Sequence, residues 1–367
     1  MELGGSWAGS AERRVRRPRA LTADGYAAGI FARDRSVLSR AITLIESVRP
    51  DHQATARDVI QRVLPHSGKS RRIGITGAPG VGKSAFIDAF GVLLTEQRHR
   101  VAVLSIDPSS ARSGGSLLGD KTRMTRLAVD PSAFIRPSPS GLVLGGIARQ
   151  TRETMLLCEA AGFDIVLIET VGVGQSETSV TEMTDFLMVL LTAGDGDELQ
   201  GIKRGLLELA DLLVITKADG DNVIPVRRAA ANFEFAMHVL AGTDRQRTPV
   251  MTCSSLEGRG IPQIWTRIAD HIAERERTGE LGKRRSDQNT AWMWSLLEQQ
   301  VRQMLREKAA LDRVARNAAA QVRAGLLLPV VGAERILDAL FAGTPSVPEQ
   351  PPSASGTGHG ASAPDAA

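Results

Sequence analysis

Residues 73–84 read Ile73-Gly74-Ile75-Thr76-Gly77-Ala78-Pro79-Gly80-Val81-Gly82-Lys83-Ser84. The first four form a short apolar run of strand character. The last eight fit G-x-x-x-x-G-K-[ST], and a helical pattern opens at Ala85. A strand, a glycine-rich loop and a helix in that order form the context in which this spacing binds phosphate. Glycines at 77, 80 and 82 let the backbone curl around Ala78, Pro79 and Val81 so that N–H groups face one phosphate. Lys83 reaches the outer phosphate oxygens and Ser84 offers its hydroxyl to Mg²⁺. The start of the helix at Ala85 adds its partial positive charge.

Outward from this loop, further short β-branched runs appear at Val101–Ile106, Phe134–Arg136, Ile165–Glu169, Phe186–Leu191, Leu212–Thr216 and Val250–Cys253. Most are separated by helix-length stretches, the pattern of a mostly parallel sheet with helices on both faces, an α/β fold. Before the sheet, Val37, Ala41, Leu44, Ile45 and Val48 recur at helical steps, and Pro50-Asp51 restarts a second helix. After Gly282 the strands stop. Met293, Leu297, Val301 and Met304 fall on one helical stripe, and periodicity returns near Ala333–Leu340. The expected organisation is a basic tail over 1–20, a helical extension over 21–70, an α/β domain over 71–282, a helical appendage over 283–340 and a Pro/Ser/Gly/Ala-rich tail over 341–367. Both tails are expected to be disordered.

Four further segments fall at strand ends. Thr216-Lys217-Ala218-Asp219 suits guanine, because a carboxylate accepts from both N1–H and the 2-amino group, whereas adenine would leave Asp219 unpaired. Lys217 would pack its stem over the base. The usual motif begins with Asn, and here Thr216 stands in that place. One strand later, the Ser254-Ser255-Leu256 loop lies where the guanine O6 would need a partner. Glu169-Thr170-Val171-Gly172 ends the Ile165–Glu169 run, where D-x-x-G is usual in GTPases. Glu169 would hold Mg²⁺ through water and the Gly172 N–H would sense the γ-phosphate. Asp107, after Val101–Ile106, falls near the metal in an open sheet. Gly114–Met124 is either a loop that orders over the γ-phosphate or a mobile surface loop. Gly194–Lys203 is an acidic stretch that also suits a solvated helix start.

Composition narrows the classes. The chain has 367 residues, only 14 of them aromatic, so Ala, Leu, Val and Ile must fill the core; glycine is abundant at 36. The net charge of +4 owes much to the N-terminal tail, with five arginines against two glutamates in residues 1–20, which weakens any case for nucleic acid. No apolar run reaches the roughly 20 residues that span a bilayer, so no membrane partner is expected. Cys158 and Cys253 are far apart, which suits reduced thiols in a cytoplasmic protein. The six histidines never pair at ligand spacing.

Taken together, RAITLIESVRPDH, GITGAPGVGKS, SIDPSS, GGSLLGDKTRM, IETVGVGQSE, GDELQGIKRG, TKADGD and WMWSLLEQQV resemble the MeaB/ArgK family of P-loop GTPases over roughly residues 35–340. The resemblance implies a SIMIBI-type G domain that binds GTP and GDP with Mg²⁺. It implies a chaperone that gates adenosylcobalamin loading and protects an acyl-CoA mutase, chiefly methylmalonyl-CoA mutase, with an adenosyltransferase as a further candidate partner. It also implies a homodimer joined through 283–340. Carried over by motif, Ser84, Asp107, Asp120 and Glu169 surround the metal, Lys83 and Glu169 serve catalysis, and Lys203 is a catalytic lysine brought in by the partner. Slow basal turnover that rises with the mutase is expected. Competing readings are an ATP-driven transport or kinase component, which Asp219 opposes, and a nickel-delivery GTPase, which would carry His- or Cys-rich segments. A nucleic-acid binder using Arg13–Arg19 is the third.

Overall fold

The computed structural model describes residues 21–106, 124–137, 144–170, 180–194, 204–241, 247–307 and 309–341. Seven strands, β1 (Arg71–Gly77), β2 (Val101–Ile106), β3 (Ala133–Arg136), β4 (Ile165–Thr170), β5 (Phe186–Leu191), β6 (Leu212–Ile215) and β7 (Val250–Thr252), form one sheet in the order β3-β2-β4-β1-β5-β6-β7. Every pairing is parallel. The α/β class expected from alternating runs is therefore observed. β1 lies between β4 and β5, with Ile75 opposite Glu169 and Gly77 opposite Leu190. This register brings the glycine-rich loop beside the end of β4.

Three helices precede the sheet: α1 (Ala23–Phe31), α2 (Arg35–Glu46) and α3 (Pro50–Val63). Periodicity predicts two helices here. The additional break comes at Arg33, with φ 62, and Asp34, whose carboxylate caps α2 by accepting from Ser36 N and Val37 N. Val48, assigned to the buried stripe, lies beyond the end of α2 and is exposed. The loop helix α4 (Lys83–Glu96) begins at Lys83, two residues before the expected Ala85.

Alternation along the strands divides the core by sheet face. Ile73, Ile75, Val103, Leu167 and Met188 pack against Phe86, Ile87, Phe90 and Leu94 of α4, and against Ile264, Trp265, Ile268 and Ile272 of α8 (Ile261–Thr278). On the other face, Ala102, Leu104, Val166 and Ile168 meet α2, α3 and α5 (Leu144–Ala160). Val189, Leu191, Leu213 and Ile215 are covered by α6 (Arg204–Leu209) and α7 (Val223–Ala241). Gly74 on β1 is a close-approach position, since a Cβ there would lie 2.6 Å from Val180 Cγ1.

The remaining helices are α9 (Glu280–Glu307), α10 (Ala309–Arg323) and α11 (Pro329–Phe341). The chain forms two compact units that divide between Gln288 and Asn289, inside α9. In the second unit α10 and α11 pack as a hairpin, with Gly332 against Val322 and Ala318. Among the described residues no helix is long and apolar enough to cross a membrane.

Candidate functional site

Four strand ends, those of β1, β4, β6 and β7, lie at the carboxyl edge of the sheet, where open α/β sheets place their ligands. Each brings one of the segments singled out above.

The loop after β1 is held open by glycine geometry. Gly77, Gly80 and Gly82 have φ of 151, 83 and 97. A Cβ on Gly77 would sit 2.4 Å from Leu190 O of the neighbouring strand, so no other residue fits without displacing backbone. Gly82 is the N-cap of α4 and supplies no side-chain cap, which leaves first-turn N–H groups directed at a ligand position. Ala78, Pro79 and Gly80 form an exposed rim, whereas Val81 is buried at 1% exposure and anchors the loop in the core. Lys83 lies folded over this loop, donating from Nζ to Gly77 O at 2.7 Å and Ala78 O at 3.0 Å. The ammonium thus sits where the curled backbone converges.

On the β4 side, Ser84 Oγ donates to Glu169 Oε1 at 3.4 Å. A buried hydroxyl pair, Thr170 Oγ1 to Thr76 Oγ1 at 2.7 Å, ties the ends of β1 and β4 together. Ser84 and Glu169 present oxygen donors, the ligand type Mg²⁺ takes, and Mg²⁺ normally keeps waters and substrate phosphates in its remaining positions. Among the described residues no group of three His, Cys, Asp or Glu forms a metal cage. The donor set fits a hard cation shared with a phosphate ligand.

On the β6 side, Thr216 is 2% exposed and its Oγ1 donates to Val81 O at 2.7 Å, with Leu191 O at 3.1 Å. Its hydroxyl therefore binds the glycine-rich loop to β6. Lys217, in a left-handed conformation at φ 59, crosses the same loop and donates from Nζ to Gly80 O at 2.9 Å. Ala218 N bonds to Cys253 O at 2.9 Å, which places the loops after β6 and β7 side by side. There Ser254 Oγ donates to Asp219 Oδ2 at 2.6 Å and accepts from Glu257 N at 3.1 Å. Burial and the nearby Asp219 carboxylate push the Cys253 thiol up to about 12, so it stays protonated. Ser255 is half-buried beside these groups and Leu256 is 85% exposed.

The fold thus brings together Gly77–Ala85, Glu169, Thr216, Lys217, Asp219 and Ser254–Leu256. Asp107, Asp120, Gly172 and Lys203 lie outside the described residues. Sequence reasoning missed the Thr76–Thr170 pair, the Lys217–Gly80 contact and Asp88. The Asp88 carboxylate accepts from Arg126 N at 3.1 Å and Leu127 N at 2.9 Å, which fixes the chain re-entering after the Gly114–Met124 stretch against α4. These residues follow no spacing pattern, and their contacts depend on which segments the fold makes neighbours.

Comparison with known proteins agrees with this geometry. The family profile described as methylmalonyl-CoA mutase-associated GTPase MeaB matches residues 38–310. A protein described as a putative GTPase in Caulobacter vibrioides is 50% identical over 321 residues, covering 87% of this chain and 98% of its own. GTPase ArgK of Escherichia coli is 46% identical, covering 83% and 92%. A mouse protein described as a mitochondrial methylmalonic aciduria type A homolog is 43% identical, covering 85% and 78%. The crystal structure of a protein described as a LAO/AO transport system kinase superposes with a TM-score of 0.70 at 38% identity, covering 87% of this chain and 97% of that one. A profile match over most of the chain, carried by relatives of this identity, makes the protein a member of the family of methylmalonyl-CoA mutase-associated GTPases of the MeaB type.

Proposed function

We propose that this chain binds GTP along the carboxyl edge of its sheet and hydrolyses it in a Mg²⁺-dependent reaction. In this reading it acts in the cytoplasm as a homodimeric chaperone that gates adenosylcobalamin loading of an acyl-CoA mutase and protects it. Methylmalonyl-CoA mutase is the favoured client, and an adenosyltransferase is a further candidate partner. The observation that carries the nucleotide assignment is the Ser254–Asp219 hydrogen bond, next to a Thr216 hydroxyl that grips the phosphate loop. Asp219 is thereby held with one carboxylate edge oriented, as guanine recognition needs. The client assignment rests on the family description and on relatives named for methylmalonic aciduria.

Each residue then has a task. The N–H groups of Gly77–Ala85 and the α4 N-terminus hold the phosphates. The Lys83 ammonium exchanges the carbonyls of Gly77 and Ala78 for β- and γ-phosphate oxygens. Ser84 and Glu169, with Asp107 and Asp120, hold Mg²⁺, which when bound neutralises charge developing on the phosphates. Gly172 senses the γ-phosphate, and Lys203 completes the site when the mutase engages the Gly194–Lys203 segment. Lys217 packs over the base while Asp219, with Ser254, Ser255 and Leu256 around it, reads the guanine edge.

Nucleotide competition tests the first half. Wild-type protein should prefer GTP over ATP by about a hundredfold or more, since an unpaired buried carboxylate is strongly disfavoured. Asp219→Ala should abolish that preference, and retained discrimination would refute the assignment. For the second half, a pull-down with candidate mutases under GTP-analogue and GDP conditions should show nucleotide-dependent capture. Lys203→Ala should then lose the mutase-stimulated rate while keeping basal turnover.

A further inference from the structure

Several arginines gather at one edge of the sheet. Arg100 immediately precedes β2 and Asp164 immediately precedes β4, at the amino edge of the sheet, opposite the nucleotide loops. Arg33 and Arg35 flank the bend between α1 and α2 and reach the same edge. A Cβ placed on Gly162 (φ 81) would lie 3.1 Å from Arg100 Nη1, 3.2 Å from Arg33 Nε and 3.4 Å from Arg33 Nη2. Two guanidiniums therefore share the space above one glycine.

Neither is neutralised by a side-chain ion pair. Arg100 donates to the carbonyls of Ala161 at 2.9 Å and Gly162 at 3.3 Å. Arg35 donates to those of Pro131 at 3.3 Å and Ala133 at 2.5 Å. The Arg33 guanidinium makes no hydrogen bond or ion pair among the described residues. The Asp164 carboxylate is already engaged, by His99 Nδ1 at 2.6 Å and by Arg100 N at 2.6 Å. Burial first, and then Arg33 and Arg35 against the opposing Asp164, lowers the pKa of Arg100, as expected where like charges crowd. Arg33 itself holds φ 62, where glycine would be easier and would also remove a charge.

The surface beneath is aromatic. Arg100 stacks 4.7 Å above the ring of Phe163, and Arg71 lies 5.4 Å from that of Trp265, which also meets His99 at 5.3 Å. Both rings are buried, so the outward surface offers guanidinium N–H edges and no ring face on which a nucleobase could stack. Guanidinium forks match carboxylates bidentately, and stacking keeps them oriented.

We propose that this pole is a docking surface for an acidic segment of a partner protein, with Arg33 and Arg100 clamping one carboxylate and Arg35 and Arg71 flanking it. The proposal is independent of the nucleotide reading, because these residues sit at the opposite edge of the sheet. A fluorescein-labelled hexaglutamate peptide serves as the probe, titrated into the full-length protein by anisotropy. Saturable binding that weakens with added salt is expected. Arg33→Gly suits the backbone at that position, and Arg100→Gln keeps a donor for the Ala161 carbonyl. Together they should weaken binding by about tenfold or more while GTP binding and thermal melting stay unchanged. Equal affinity in wild type and double variant would overturn the proposal by placing the peptide elsewhere, for example on Arg13–Arg19. Displacement of the peptide by micromolar inorganic phosphate would overturn it, as would a 12-nucleotide RNA that binds more tightly and loses affinity with the same substitutions.

Discussion

Thr216 directs its hydroxyl inward, to Val81 O and Leu191 O, instead of toward a ligand. The motif reading marks threonine here as a departure from asparagine, and the geometry gives its physical consequence. One hydroxyl links the end of β6 to the glycine-rich loop after β1, so the two segments are tied together. Thr216→Val keeps the shape and removes both bonds. Thr216 N still reaches Leu191 O at 2.9 Å, so the backbone pairing survives and the Val81 carbonyl is left without its hydroxyl donor. A buried acceptor orphaned in this way costs about 1–3 kcal/mol. GTP and GDP affinity should therefore fall about tenfold, with Thr216→Asn staying within about threefold of wild type. Isothermal titration decides it, and a valine variant that binds GTP normally would remove Thr216 from the site. The phosphate loop was legible in the sequence because its requirements are local: three glycines at fixed spacing and a Lys-Ser pair. The Ser254–Asp219 bond was half legible, since each residue was named but their contact depends on β6 and β7 being neighbours.

At the scale of elements, a buried ionic group closes the edge of the sheet away from the nucleotide. Arg72 at the start of β1 pairs with Glu159 of α5 at 2.8 Å, and Glu159 also accepts from Ser70 Oγ at 2.6 Å and Gly68 N at 2.7 Å. Burial alone would raise the Glu159 carboxyl, but Arg72, Ser70 and Gly68 outweigh it and hold it below its ordinary 4.5. A carboxyl depressed in the folded chain contributes stability that is complete above its unfolded value and is lost as pH falls through the folded one. Glu159→Gln should cost about 3 kcal/mol at pH 7, because it leaves Arg72 buried without its counter-charge. The difference between the two proteins should shrink below pH 4.5. Urea unfolding at pH 7, 5 and 3.5 measures this, and a constant difference across that range would show that Glu159 does not titrate with folding. None of this was visible in the sequence, because Arg72 and Glu159 are 87 residues apart and meet only once α5 packs on the sheet. Strand and helix existence, by contrast, followed from periodicity. The extra break at Arg33-Asp34 escaped because a non-glycine residue at positive φ has no sequence signature, whereas α10 falls inside the helical appendage expected over 283–340.

For the whole molecule, the question is what covers the apolar stripe of α9. Met293, Trp294, Leu297 and Met304 are 55%, 56%, 48% and 39% exposed, whereas most of the other large apolar side chains among the described residues are buried. Contiguous exposed apolar surface of this kind marks an interaction site, and a homodimer seam is the occupant that the family resemblance implies. In an isologous pair each stripe meets its own copy, so one substitution alters the contact twice and its effect is doubled. Met293→Lys combined with Leu297→Lys should therefore shift the mass in light scattering from about twice to once the 39.2 kDa chain. The helix itself should persist, because lysine is a good helix former and both positions are outward-facing. GTP affinity should remain near wild type, since Gly77–Ser84, Glu169 and Asp219 all belong to the other compact unit. A double variant that keeps the dimer mass would assign the stripe to another partner, and the same measurement repeated with a candidate mutase would then show whether the mutase is what covers it.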